Sequence, residues 1–359
     1  MSSSWGEQLK ISLFGESHGL AVGAVIEGLP VGEAIDEDEL HRFLLRRAPG
    51  RSALTSARRE DDCPRILSGM TDGRTNGAPL ALVIENRDAR GEDYETLRTV
   101  PRPGHADYPA AVKYGGCQDA NGGGHFSGRL TAPLCAVGGI CLQILNRRGI
   151  EITAHLASVG GVDDRAFDPC GLNEAECSSL RAEELPVLDA DKGGQMRQAI
   201  RRAAEEGDSL GGTVECMVER LPVGLGGALF GGLDARLASL LFAIPAVKGV
   251  EFGEGFHATR LRGSENNDPF VLREGCVVTE TNRAGGVLGG MSTGMPLLFR
   301  VAFKPTPSIA RAQKSVDLST MQERELRVQG RHDPCVAIRA VPAVEAAAAL
   351  AVLDALLGG

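Results

Sequence analysis

The sequence predicts an α+β fold, and three observations carry that reading. Leu9, Ile11 and Leu13 alternate with polar residues, and Val22 to Glu27 follows as a second run of strand type. A helical apolar stripe appears at Leu40, Phe43 and Leu44, and an Ala/Leu-rich helix closes the chain over Ala343 to Leu357. Strands and helices do not alternate regularly, which separates the chain from the doubly wound class.

In chain order, the phrase Gly15-Glu16-Ser17-His18-Gly19 falls between the first two strands, so His18 is expected in their connection at the edge of a sheet. Asp36 is a helix N-cap with Glu39 three residues on, and Ala48-Pro49-Gly50 ends that helix. Asn121 to Arg129 is a glycine-rich loop leading into an apolar helix from about Leu130, which Pro133 tolerates only in its first turn. Asp163 to Asp191, rich in Asp, Glu, Ala and Ser, reads as a surface excursion. Gly285 to Gly294 holds too many glycines for a strand and is expected to approach a bound group closely with its backbone. Leu297 to Phe303 is a further strand.

One phrase repeats. Val25-Ile26-Glu27-Gly28-Leu29-Pro30-Val31-Gly32 returns as Met217-Val218-Glu219-Arg220-Leu221-Pro222-Val223-Gly224, identical at five of eight positions. A strand pattern precedes both copies and a helix pattern follows both, Leu40 to Leu45 and Leu233 to Phe242. Residues 1–359 are therefore expected to form one unit of two related halves, with a shared core and an active site between them.

Composition narrows the function. Hydrophobic residues make up 43% and charged residues 24% of the 359 positions, as in a soluble globular protein. A formal net charge of -9 and an aromatic content of 4% argue against a nucleic-acid partner. None of the nine cysteines forms a two-residue pair of the kind that binds zinc or cycles as a dithiol. The N-terminus lacks a signal-peptide pattern, and no apolar run approaches the roughly 20 residues of a membrane span. A cytoplasmic location, with no membrane partner, is expected.

Three of only seven histidines sit in phrases unfit for a helix interior: His18, His105 in Arg102-Pro103-Gly104-His105-Ala106-Asp107-Tyr108, and His332 in Arg331-His332-Asp333-Pro334-Cys335. An isolated loop histidine is ordinary. Three, each with arginine or a carboxylate nearby, point to proton transfer around an anion. Arg46, Arg47, Arg51, Arg58 and Arg59 cluster at a helix C-terminus; the helix dipole accounts for the first two, and arginine suits bidentate capture of carboxylate or phosphate. Asn121 to Arg129 offers backbone N–H groups at a helix start, as an anion site does, without the spacing of a dinucleotide or nucleotide loop. Lys304-Pro305-Thr306-Pro307-Ser308 fits a phosphate-holding loop or a plain strand terminator. The pair His332 and Asp333 suits a metal as well as a base, but no ligand spacing supports a metal and none is assigned.

Taken in order, GESHG, Gly28-Leu29-Pro30, RPGHADY, KPTPS and RHDPC with Arg339-Ala340-Val341-Pro342 resemble the chorismate synthase family, from about Gly6 to Leu357. The resemblance implies a β-α-β sandwich, helices packed between two antiparallel sheets, with internal pseudo-two-fold symmetry and assembly as a homotetramer. It implies conversion of 5-enolpyruvylshikimate 3-phosphate to chorismate and phosphate by anti-1,4-elimination. The cofactor implied is reduced FMN, with no net redox change.

By the same resemblance, His18 donates a proton to the departing phosphate and should be cationic near neutral pH. His105 stands by the flavin, and Asp333 helps remove the ring proton. Arg47, Arg102, Arg129, Arg331 and His332 hold the substrate's anionic groups. Ser127, Ala246, Gly289, Lys304, Pro305, Thr306, Pro307, Ser308 and Arg331 contact the flavin. Two positions depart from the family pattern. His125-Phe126-Ser127 stands before Gly128-Arg129 where the family commonly has Arg-Ser-Ser before Ala-Arg. A family arginine associated with NADPH aligns with Ala53, so an external flavin reductant or reductase is expected. The rival readings are a flavin-dependent oxidoreductase on the same scaffold and a non-catalytic anion- or nucleic-acid-binding protein.

Overall fold

A computed structural model of the chain describes residues 3–50, 54–56, 58, 60–87, 96–328, 330 and 332–358. Arg51, Ala53, Arg59 and Arg331 lie outside these described residues. Among the described residues two sheets of five strands dominate. The first runs Ser4–Trp5, Lys10–Gly15, Ala21–Glu27, Leu80–Glu85, Arg65–Ser68, every neighbour antiparallel. The second runs Val247–Phe252, Leu297–Phe303, Gly212–Glu219, Glu151–Val159, Val162–Asp163, again antiparallel throughout. The alternation at Leu9 and Ile11 buries both side chains as expected. Lys10–Gly15 and Ala21–Glu27 are the second and third strands of five, so His18 lies at the end of the sheet and not at its edge.

Helices fill the space between the sheets. Thr131–Arg147 touches Ala21–Glu27 and Leu80–Glu85 on one side and Glu151–Val159 on the other, while Ala337–Gly358 packs on that helix and on Glu151–Val159 and Gly212–Glu219. The arrangement is the expected α+β sandwich. The closing helix starts six residues earlier than its Ala/Leu run, with Pro342 inside it. Contrary to the expectation of no long apolar run, Gly128–Arg147 and Ala337–Gly358 are both long and apolar enough to cross a membrane. Each is 89% buried within the protein, which accounts for its apolarity without a bilayer. Arg46 pairs with Glu345 of the closing helix through two bonds of 2.6 and 3.0 Å, so it serves the core and not merely the dipole of its own helix.

The repeated phrase folds alike in both places. Strands Ala21–Glu27 and Gly212–Glu219 each run into a turn, at Gly28 (φ +87°) and Arg220 (φ +60°), and Gly32 and Gly224 share φ values of +84° and +85°. Helices Glu37–Arg47 and Leu233–Ala243 follow. Asp36 caps the first, accepting from Glu39 N at 2.9 Å. Two expectations are corrected. The 163–191 stretch is no loose excursion: it carries the helix Glu174–Ala182, and Phe167 and Leu180 are buried beneath it. Within Gly285 to Gly294 the close approach is to the protein's own backbone, Gly253 and Pro296 beside Gly285 and Gly286, and Gly227 beside Gly290.

Candidate active site

A cleft of about 740 Å³ opens where the Glu37–Arg47 helix ends, the glycine loop enters the Thr131–Arg147 helix, and the Lys304 loop leaves the second sheet. Its lining brings together Arg47, Arg102, His105, Ser127, Arg129, Ala246, Lys304, Thr306, Pro307, Ser308, His332 and Asp333. Arg58, Lys248 and Arg339 add further positive charge. Gly289 and Pro305 are not among the lining residues; Gly289 sits in the turn between Val287–Leu288 and Met291–Ser292.

The glycine loop unites two of the histidines. A Cβ on Gly122 would overlap the His18 ring, and one on Gly123 would stand 3.2 Å from His105 Nε2. His18 is not itself in the lining but abuts Gly122, which is; its Nδ1 lies 3.1 Å from Ser17 Oγ. Burial and the positive field of Arg58 hold its pKa below the ordinary 6.5. Without a bound anion the ring thus favours its neutral form, and a neighbouring phosphate would favour the cationic one.

His105 is fixed from behind. Its Nδ1 lies 2.5 Å from Asp107 Oδ1. Arg102 grips the same carboxylate with two bonds of 2.7 Å and donates to Ser308 Oγ at 3.1 Å. Burial alone would raise the Asp107 pKa, but the bonds and charges of Arg102 and His105 outweigh it and hold the carboxyl well below its usual range. An ionised Asp107 draws the proton to Nδ1 and leaves Nε2, on the Gly123 side, to exchange protons.

Asp333 accepts from Ser56 N at 2.8 Å and from Arg339 at 2.6 Å. Arg339 also donates to Arg47 O at 2.9 Å, tying the start of the closing helix to the end of Glu37–Arg47. Burial pushes the neighbouring Cys335 thiol up to about 11, so it is no nucleophile at neutral pH. Lys304 donates to Gly104 O at 2.8 Å, and burial together with Lys248 lowers its pKa. Ala246 holds φ +77°, and its carbonyl accepts from Lys304 N at 3.0 Å. His125 and Phe126 both line the cleft, but the His125 ring nitrogens face Gly15 O and Ser3 Oγ, and Phe126 stacks on Tyr114.

Sequence reasoning missed Asp62, which pairs with both Arg47 and Arg129 from a fully buried position. Its only sequence signal was a carboxylate following an arginine cluster. It also left Arg339 without a role, although that residue lay within a recognised phrase.

Such a site defines an enzyme that gathers a polyanion against a cationic wall and places proton-handling groups beside it. The chain belongs to the chorismate synthase family, whose model matches residues 9–357. Chorismate synthases of Thermococcus kodakarensis and Lancefieldella parvula are 49% and 45% identical to it, covering 98% and 99% of this chain and 97% and 96% of theirs. A crystal structure of chorismate synthase superposes with a TM-score of 0.76 at 29% identity, covering 99% of this chain and 93% of that one.

Proposed function

We propose that this enzyme is a carbon–oxygen lyase that converts 5-enolpyruvylshikimate 3-phosphate to chorismate and inorganic phosphate with reduced FMN. The observation that carries the proposal is the convergence of His105, Asp333 and the cationic set in one cleft, with His18 one glycine away. Arg47, Arg129 and His332 hold the carboxylates and phosphate of the substrate. His18 gives a proton to a phosphate oxygen as the carbon–oxygen bond breaks. Asp333, kept in place by Arg339 and Ser56 N, serves the loss of the ring proton. His105 Nε2 exchanges protons on the flavin side while Asp107, itself gripped by Arg102, fixes the ring. General acid–base groups of this kind contribute about 10²–10⁴-fold each.

The lining suits FMN. Thr306 Oγ1 is buried in the cleft wall with no hydrogen-bond partner among the described residues, a donor awaiting an acceptor. Lys304 and Lys248 offer cations for a phosphate, and Ser127, Ala246, Pro307 and Ser308 complete the wall. When bound, reduced FMN lends electron density as phosphate departs and recovers it afterwards. An external reductant or reductase supplies its reducing equivalent. Assembly as a homotetramer would cover exposed apolar side chains such as Phe230, Phe256, Phe270 and Leu272.

Anaerobic incubation with dithionite-reduced FMN and the enolpyruvyl substrate tests the proposal. Chorismate absorbance should rise together with released phosphate while reductant is consumed only in priming amounts. Folded, flavin-loaded protein that forms no product would refute the reading, and stoichiometric reductant consumption would favour the oxidoreductase.

A further inference from the structure

We propose that Asp62 is a positioning residue that sets the spacing of two ligand-facing guanidiniums, acting by geometry and not by charge balance. Its carboxylate stands between them: Oδ2 accepts from Arg47 at 2.6 Å and Oδ1 accepts from Arg129. Arg47 closes the Glu37–Arg47 helix and Arg129 lies in the Gly128–Leu130 turn, so a single side chain joins two walls of the cleft. Burial disfavours the charge on Asp62, yet the two arginines outweigh it and keep the carboxyl below its usual range. Asp62 has φ +47°, in the left-handed region that aspartate enters more readily than most residues.

The remaining bonds complete a frame. Arg47 donates to Thr131 Oγ1 and Gly128 O, both at 3.0 Å. Arg129 donates to Asn86 Oδ1 at 2.8 Å and Glu85 O at 3.2 Å. A guanidinium has five N–H groups. Each arginine directs three of them at these protein acceptors, Glu60 stands 3.8 Å from Arg129 Nη2 as a second carboxylate, and the N–H groups left over are available to an anion in the cleft that both arginines line.

Charge and geometry make opposite forecasts. Removing the negative charge makes the cleft more positive, and long-range attraction alone would tighten binding of an anion. Removing the shared acceptor leaves two like-charged guanidiniums free to separate, and a misplaced clamp binds less well.

The choice of ligand rests on the chorismate-forming reading, which wild-type turnover tests by itself. Asp62 is tested without turnover, by the equilibrium affinity of the FMN-loaded protein for 5-enolpyruvylshikimate 3-phosphate and for inorganic phosphate. The second probe still reports on the arginines if the first does not bind the wild type. Asp62→Asn should weaken binding tenfold or more, raise KM by more than it lowers kcat, and leave flavin affinity within twofold. Binding as tight as wild type, or tighter, would overturn the proposal. Asp62→Glu restores the charge one methylene out of register and carries the comparison should Asp62→Asn not fold. It should remain severalfold weaker than wild type; full recovery of affinity would assign Asp62 to charge balance and end the positioning role.

Discussion

At neutral pH, burial and the Arg58 guanidinium hold the imidazole of His18 in its uncharged form. A phosphate arriving beside it reverses the balance, because an anion favours the protonated ring and raises its pKa. Substrate binding should therefore draw a proton from solution. The free-state pKa lies below 6.5, so uptake should be largest somewhat above that value and fade at acid pH, where the ring is already charged. Calorimetry at pH 7 in buffers of different ionisation enthalpy measures it: a net uptake that His18→Ala abolishes is expected, and release of protons, or uptake unchanged in the variant, contradicts the donor role. The phrase GESHG disclosed which histidine this is. It could not disclose the resting charge, which depends on Arg58 and on a ring packed against Gly122, neither adjacent in sequence.

The elements themselves show how a repeat can be half legible. The Leu-Pro-Val-Gly phrase announced two equivalent turns, and each is clamped by a hydroxyl from a separate hairpin. Thr75 Oγ1 donates to Pro30 O at 2.6 Å and accepts from Glu33 N at 2.9 Å. Ser292 Oγ donates to Pro222 O at 2.5 Å and accepts from Leu225 N at 2.9 Å. Gly32 N and Gly224 N each bond the backbone carbonyl of the same clamping residue at 2.8 Å. No shared text around Thr75 and Ser292 marks them as counterparts, since what the hairpins have in common is placement. Strands such as Leu297–Phe303 were legible because a short, nearly continuous apolar run settles them, whereas the 163–191 stretch was misread because its polar surface hides the buried Phe167 and Leu180. Thr75→Ala and Ser292→Ala each strip a backbone N–H of its acceptor, part-buried at Glu33 and buried at Leu225, and should lower stability by about 1–3 kcal/mol, more at Ser292. The two clamps share no partner, so the double variant should show the sum in chemical denaturation. A neutral effect at either position would mean the turn holds without its clamp.

At the scale of the whole molecule, the second sheet is joined to the segment outside it by a buried charge. His155 is fully inaccessible on the outer face of Glu151–Val159, opposite Ala154 and Leu156, with Nδ1 3.0 Å from Asp164 and Nε2 3.1 Å from Glu215. The Phe167 ring packs on it with centroids 4.2 Å apart. Asp164 also accepts from Leu188 N and Asp189 N, bonds that favour its ionised form, and Glu215 accepts from Phe167 N. A neutral imidazole has one N–H and can donate to only one of the two carboxylates, whereas the imidazolium donates to both. Burial alone would lower the His155 pKa; the bonds to Asp164 and Glu215 outweigh it and raise it above 6.5. The sign follows from linkage: a raised folded-state pKa adds stability that is complete below about pH 6.5 and is lost as pH climbs through the folded value. Asp164, whose pKa is lowered, contributes in the opposite sense, fully above its ordinary 3.8 and less as pH falls through its folded value. Melting of the wild type should thus hold steady through mildly acid pH and fall on the alkaline side. His155→Gln should cost about 3–5 kcal/mol at pH 6, as removal of one partner of a buried ion pair does. Its penalty should shrink as pH rises, because the wild type loses what the variant never had. Melting curves for the two proteins that decline in parallel from pH 6 to pH 10 would show that the buried histidine carries no charge.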